Sequence, residues 1–232
     1  MSCEIWLGDS REANDLPMGI NCIIADPPYG VEFRSRRAIT PNGKRFEKDI
    51  EGDGNLRDAM HLAHQVFNVL APKTADNCEV YVFTRWDIVG NWIAWAHTAL
   101  RPLGFNYKML LIWDKGIPGM GDIDANWGCG HELILYLKKG RRDVNYRRSA
   151  IIAVDKVDNY HHIHPTEKPV GLIEVLIGMS TDSGDLVVDP FAGSGSSIVA
   201  AQNLGRRGIG IELDEHYVDA ARGRLAQGTL PI

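Results

Sequence analysis

The chain predicts an α/β fold, doubly wound around a mostly parallel sheet. Three observations carry that reading. Short apolar runs alternate with helix-like stretches along most of the 232 residues. Several runs end on an acid or a Gly/Pro turn and are followed by a helical pattern, as in strand–turn–helix units. Hydrophobic residues make up 44% and charged residues 24%, which excludes a disordered, collagen-like or coiled-coil chain.

In chain order, Ile20 to Ala25 reads as a buried strand stopped by Asp26-Pro27-Pro28. Met60, Ala63, Phe67 and Leu70 fall at helical spacing within Leu56 to Ala71, and Pro72 ends that helix. Cys78 to Thr84 is a strand. Trp86 to Leu100 is a helix ending near Pro102, with Trp86, Trp92 and Trp95 spaced as core residues. Tyr107 to Trp113 and Glu132 to Leu137 are strands separated by a loop carrying Gly116, Gly119, Gly121, Gly128 and Gly130. Lys168 to Met179 reads as a helix with Pro169 in its first turn, where the missing N–H costs nothing. Leu186 to Asp189 (strand), Ser196 to Leu204 (helix, closed by Gly205), Gly208 to Glu212 (strand) and Asp214 to Ala226 (helix) complete the pattern. Residues 1–232 read as one domain with no internal repeat. Two polar stretches, Val31 to Asn55 and Gly140 to His164, are too long for ordinary connections and read as insertions that carry function.

No apolar run approaches the ~18 residues of a membrane span. The first residues lack a charged segment followed by an apolar one, so no secretory leader is expected. Cys3, Cys22, Cys78 and Cys129 lie far apart, which fits neither a disulfide framework nor a zinc ribbon. His161, His162 and His164 have no cysteine nearby, and no metal is expected. These features describe a cytoplasmic enzyme.

The net charge of −5 hides a strong asymmetry. Arg34, Arg36, Arg37, Lys44, Arg45 and Lys48 face only Glu47 between positions 34 and 48. Lys138, Lys139, Arg141, Arg142, Arg147 and Arg148 face only Asp143 between 138 and 148. Each segment carries +5, so the remainder carries −15. Local positive charge on an acidic body suits a polyanion-binding face, although solvated loops would show the same composition.

Two turns carry chemistry. Asp189-Pro190-Phe191-Ala192-Gly193-Ser194-Gly195-Ser196 follows a strand and opens a helix, where glycine lets a ligand approach the backbone. Ile198 stands where a dinucleotide fingerprint needs its third glycine, and Glu212 ends the next strand, where a carboxylate can accept ribose hydroxyls. A nucleoside-type cofactor other than NAD or ATP fits. The second turn, Asp26-Pro27-Pro28-Tyr29-Gly30, is stiffened by two prolines. It offers a carboxylate, a backbone carbonyl and a ring to a planar base bearing an exocyclic amine.

Together these two turns resemble the β class of S-adenosylmethionine-dependent DNA amino-methyltransferases, in which the catalytic tetrapeptide precedes the cofactor loop. Leu7-Gly8-Asp9-Ser10, Trp113-Asp114-Lys115-Gly116, His131-Glu132, the run from His164 to Pro169, and Ile209-Gly210-Ile211-Glu212 resemble further motifs of that class in the same order. The resemblance implies a circularly permuted, Rossmann-like, mostly parallel seven-stranded sheet. It implies Asp26, Pro27 and Tyr29 as catalytic residues. It implies Asp9, Ser10, Asp26, Lys168, Asp189, Phe191, Ala192, Gly193, Ser194, Gly195 and Glu212 around S-adenosylmethionine. Double-stranded DNA is the expected substrate, with N6 of a flipped adenine as target and N4 of cytosine as the nearest rival. Arg34, Arg36, Arg37, Lys44, Arg45, Arg141, Arg142, Arg147 and Arg148 are the expected DNA contacts, on the 31–55 and 140–164 insertions. A cofactor-responsive DNA binder without catalysis is a more distant reading. A homodimer and a separate restriction endonuclease are compatible partners, in a bacterial or phage-infected cell.

Overall fold

The computed structural model describes residues 2–30, 54–116, 127–155 and 167–228. Among these, eight strands form one sheet: β1 (Cys3–Leu7), β2 (Ile20–Ala25), β3 (Thr74–Thr84), β4 (Asn106–Asp114), β5 (His131–Lys139), β6 (Ile151–Ala153), β7 (Leu186–Asp189) and β8 (Arg207–Glu212). Their order is β1-β8-β7-β2-β3-β5-β4-β6. The sheet has one strand more than the resemblance implies. The three-residue edge strand β6 lies inside the second polar insertion, and only Ile152 of it is buried.

Among the described strands β5 alone runs antiparallel to its neighbours. The stretch between β4 and β5 lets the chain fold straight back, whereas a parallel partner would need a crossover. This reversal matters for charge. Lys139 pairs with Cys78 and Lys138 with Glu79 and Asn106, so the basic end of β5 meets the amino-terminal ends of β3 and β4.

Among the described residues, five α-helices cover the sheet: α1 (Leu56–Leu70), α2 (Val89–Trp95), α3 (Val170–Ser180), α4 (Ser196–Asn203) and α5 (Glu215–Gln227). Asn55 caps α1 by accepting the Asp58 N–H at 3.0 Å, and Asp214 caps α5 by accepting that of His216 at 3.0 Å; each such cap is worth ~1 kcal/mol. The helix expected from Trp86 is broken into α2, a π-helical turn at Ala96–Leu100 and a 3₁₀ turn at Arg101–Leu103. Trp86 precedes all three and is 53% exposed, so the core assignment holds for Trp92 and Trp95 but not for Trp86. Pro169 is the cap residue before α3 rather than part of its first turn.

The period-2 pattern of the central strands divides the core between the faces. Val80 and Val82 of β3 and Val188 of β7 pack with α1 and α2, where Phe67 meets Trp95 and Phe105 edge-on. Tyr81 and Phe83 of β3 and Val187 of β7 pack with Leu172, Ile173, Leu176 and Ile177 of α3. Truncating Phe67, which is fully buried, to alanine would cost about 3–5 kcal/mol.

From β2 the chain proceeds through α1 to β3 on one side, and from β7 through α4 to β8 on the other. The boundary between β2 and β7 is therefore the topological switch point, whose carboxyl end is where open α/β sheets bind ligands.

Candidate active site

The two chemical turns emerge side by side at this switch point. β2 and β7 pair in parallel, with Ile23 level with Val188, so the Asp26 and Asp189 turns leave adjacent strands. Neighbouring strands lie only ~4.8 Å apart. Two motifs near opposite ends of the sequence thus form the walls of one cleft.

Asp26 is held on both oxygens. Oδ1 accepts the Tyr29 hydroxyl at 2.6 Å, and Oδ2 accepts Lys168 Nζ at 2.6 Å. Lys168 is 8% exposed, lies 3.3 Å from Glu132 Oε2, and sits over the Phe83 ring at 5.1 Å. Lys115 then pairs with Glu132 Oε1 at 2.5 Å and stands over Trp113. Two carboxylates and two ammonium groups alternate across the floor of the cleft. Burial alone would raise the Glu132 carboxyl, but Lys168 and Lys115 outweigh it and hold it below its ordinary value. Burial would lower Lys168, and Asp26 and Glu132 reverse that too. Burial pushes the Tyr29 hydroxyl well up, helped by the neighbouring Asp26 charge, so it stays a neutral donor.

The glycine-rich turn is tightly built. Asp189 accepts the Phe191 N–H at 2.9 Å on Oδ1 and the Ser197 hydroxyl on Oδ2. Its burial, opposed by those two donors, raises its carboxyl to about 7. Gly195 has φ +79°, and a Cβ there would lie 2.8 Å from the Ala221 Cβ, so both the turn and the contact with α5 require glycine. Glu212 Oε2 accepts the Gly193 N–H at 2.8 Å and Oε1 that of Asp214 at 2.9 Å. A carboxylate has about four acceptor positions, so each oxygen keeps one for a hydroxyl. Ser10 is buried and donates to the Pro190 carbonyl at 2.6 Å, tying the end of β1 to the loop. Asp9 is bound through both oxygens to Arg11, whose hydrogen bonds hold its carboxyl below the ordinary range.

Several expected residues lie elsewhere. Arg34, Arg36, Arg37, Lys44 and Arg45 fall outside the described residues, as do His161, His162 and His164. Arg142 pairs with Asp185 at 3.0 Å and Asp182 at 2.8 Å, and the Arg141 N–H donates to Asn77 Oδ1, all at the amino-terminal end of the sheet. The reversal of β5 carries both to the end of the sheet opposite Asp26. Arg147 and Arg148 are exposed on the connection between β5 and β6. Among the described residues, no group of three or more His, Cys, Asp or Glu side chains could hold a metal ion. None of their helices is long and apolar enough to cross a membrane.

Three participants were not singled out individually from sequence. Lys115 and Glu132 stood only inside motif-like runs. Arg224 of α5 donates to the Ser194 carbonyl at 2.9 Å and pairs with Glu167 at 2.9 Å, joining the cofactor-like loop to the segment bearing Lys168. An arginine in a polar helix has no local signature of such a task.

The likeness to known proteins is consistent with this geometry. YubD of Escherichia coli (strain K12), a presumed methylase, is 34% identical over 89% of this chain and 82% of its own length. The Type II methyltransferase M2.DpnII of Streptococcus pneumoniae is 31% identical over 90% of this chain and 83% of its own. The crystal structure of an M1.HpyAVI–SAM complex superposes with a TM-score of 0.71 at 22% identity, covering 96% of this chain and 98% of that one, which shows a shared fold. The family model N6_N4_Mtase, described as DNA methylase, matches residues 20–223, and the chain belongs to that family.

Proposed function

We propose that the chain transfers a methyl group from S-adenosylmethionine to N6 of an adenine flipped out of double-stranded DNA. The observation that carries the reading is the adjacency of the Asp26 and Asp189 turns across the β2–β7 boundary, one suited to an amine and the other to a nucleoside. The residues fit this cofactor. Asp189 and Glu212 place carboxylates beside a loop that glycine keeps open, which suits a cationic ligand with ribose hydroxyls. Asp9, Ser10, Phe191, Ala192, Gly193, Ser194 and Gly195 complete that wall, and Lys168 adds a cation at its junction with Asp26. S-adenosylmethionine supplies an electrophilic methyl on sulfur.

The chain's own residues do the rest. A stacked base cannot present its amine, so the target must leave the duplex. Asp26 and the Pro27 carbonyl accept the amine N–H groups, which draws nitrogen toward tetrahedral geometry and stabilises the positive charge that develops on it. The diproline turn fixes these acceptors before the base arrives. The Tyr29 ring offers a face to the base while its hydroxyl restrains Asp26. Arg34, Arg36, Arg37, Lys44, Arg45, Arg147 and Arg148 remain the proposed phosphate contacts. A bacterial cytoplasm is the proposed setting. A partner endonuclease is proposed by analogy with the relative named a Type II methyltransferase, and a second copy of the chain is a further candidate partner.

Cytosine N4 is the second reading, because the matching family model spans both bases. Unmethylated DNA incubated with labelled cofactor, digested and chromatographed, distinguishes them. Label in N6-methyldeoxyadenosine is expected. Label in N4-methyldeoxycytidine would keep the acceptor chemistry and replace the base, and no label on any DNA would remove the function.

A further inference from the structure

The chain has six tryptophans. Trp92, Trp95 and Trp113 are buried and Trp6 is partly covered, whereas Trp86 is 53% and Trp127 96% exposed. The two exposed indoles share one end of the molecule. Trp86 follows β3, the strand beside β2, and Trp127 precedes β5, the strand on the other side of β3. Ala25 pairs with Val82, so Asp26 is level with Phe83, and Trp86 is three residues beyond. At ~3.3 Å per residue, that puts it within about 10 Å of the catalytic carboxylate's level.

A single exposed indole is ordinary, but beside a site it is open to being covered by whatever binds there. The surroundings indicate what does. Arg85, paired with Asp87 at 2.8 Å, lies near enough to Tyr29 for its charge to act there. Gly30 abuts Asn55 so closely that a Cβ would meet the Asn55 carbonyl at 2.3 Å. Gly30 and Asn55, on either side of the segment that bears Arg34 to Lys48, therefore meet at this turn. A flat apolar ring, an arginine and the residues flanking a basic segment, all beside an amine-accepting turn, match the chemistry of a stacked, phosphate-bearing duplex.

Resting on the function proposed above, we infer that Trp86 is a DNA-contacting wedge, which enters the base stack at the gap left by the flipped nucleotide. Flipping strips two bases of a stacking neighbour, and an inserted planar side chain restores one. The indole is needed for its ring rather than for its N–H, so phenylalanine should largely replace it.

The test uses the full chain and duplexes carrying 2-aminopurine at the target position identified by the wild type. With Trp86→Ala, the rise in 2-aminopurine fluorescence on binding should fall several-fold and duplex affinity roughly tenfold. Cofactor affinity and thermal stability should remain those of wild type, since the side chain is exposed. Trp86→Phe should recover most of the signal. A Trp86→Ala enzyme that flips and binds as wild type would overturn the wedge, and so would equal failure of the Phe and Ala variants. Failure of the proposed function looks different: the wild type itself would then methylate no DNA.

Discussion

The two ends of the sheet both carry dense ionic clusters, and they use them in opposite ways. At the amino-terminal end, Arg142 is satisfied by Asp182 and Asp185, Lys138 pairs with the buried Glu79 at 3.0 Å, and Lys139 donates to Thr74. These charges join β5, β3 and the start of β7 and face one another rather than a ligand. At the carboxyl-terminal end, Asp26, Lys168, Glu132 and Lys115 also alternate, but around a turn that stiff prolines aim outward. Charge density therefore does not mark function. What separates the two ends is whether the carboxylate retains a position from which it can turn to an incoming group.

Variants at either end can break that contrast. The largest effect is expected from Asp26→Ala, which should reduce single-turnover methyl transfer by at least ~10³-fold while the protein stays folded and retains much of its cofactor binding. Turnover near that of wild type would mean that the carboxyl end works without its acceptor. Next comes Lys168→Met, which leaves Asp26 and Glu132 facing each other in a buried site. Urea melts should show a loss of about 2–4 kcal/mol, alongside impaired turnover. An unchanged melt would show that this ammonium is as dispensable as a surface charge.

Asp189 sharpens the contrast through pH. Its folded carboxyl is raised to about 7 by burial, so its contribution to stability is complete below the ordinary value near pH 4. It is lost as pH rises toward 7. Comparing Asp189→Asn with wild type from pH 4 to 8 should move the difference in the variant's favour by about 4 kcal/mol. A pH-independent difference would place the strain elsewhere. The smallest effect belongs to Arg142→Met, which should cost about 1 kcal/mol because Asp182 is 73% exposed and solvent screens it. Duplex affinity should hold. Weaker DNA binding with unaltered stability would restore Arg142 to the DNA face and dissolve the distinction between the ends.

Much of this architecture is visible in the chain. The central strands announce themselves through apolar runs, and the Asp26 and Asp189 turns through stiff or glycine-rich residues that local sterics explain. Basic clustering does not by itself show which charges are already paired. Lys138 and Arg142 look unpaired in sequence because Glu79, Asp182 and Asp185 are distant along the chain, and the antiparallel course of β5 was needed to bring them together. The Lys168–Asp26 contact was hidden for the same reason: local patterning shows which residues could carry charge, and only the topology shows which charges meet. β1 escaped notice because only Ile5 in it is buried, and β6 because three residues are too few to show a period.

The strand order also bears on how the molecule is made. Among the described strands β1 pairs only with β8, through Cys3–Gly208 to Leu7–Glu212, although about 200 residues of chain separate them. As the chain leaves the ribosome, β1 has no partner among the described strands until β8 has emerged, and β7 and β8 must then lodge between β1 and β2. Such non-local pairing is slow and leaves strand edges open to other chains meanwhile. The site is not complete until β7 and β8 have emerged, so a nascent chain remains inactive until both are in place.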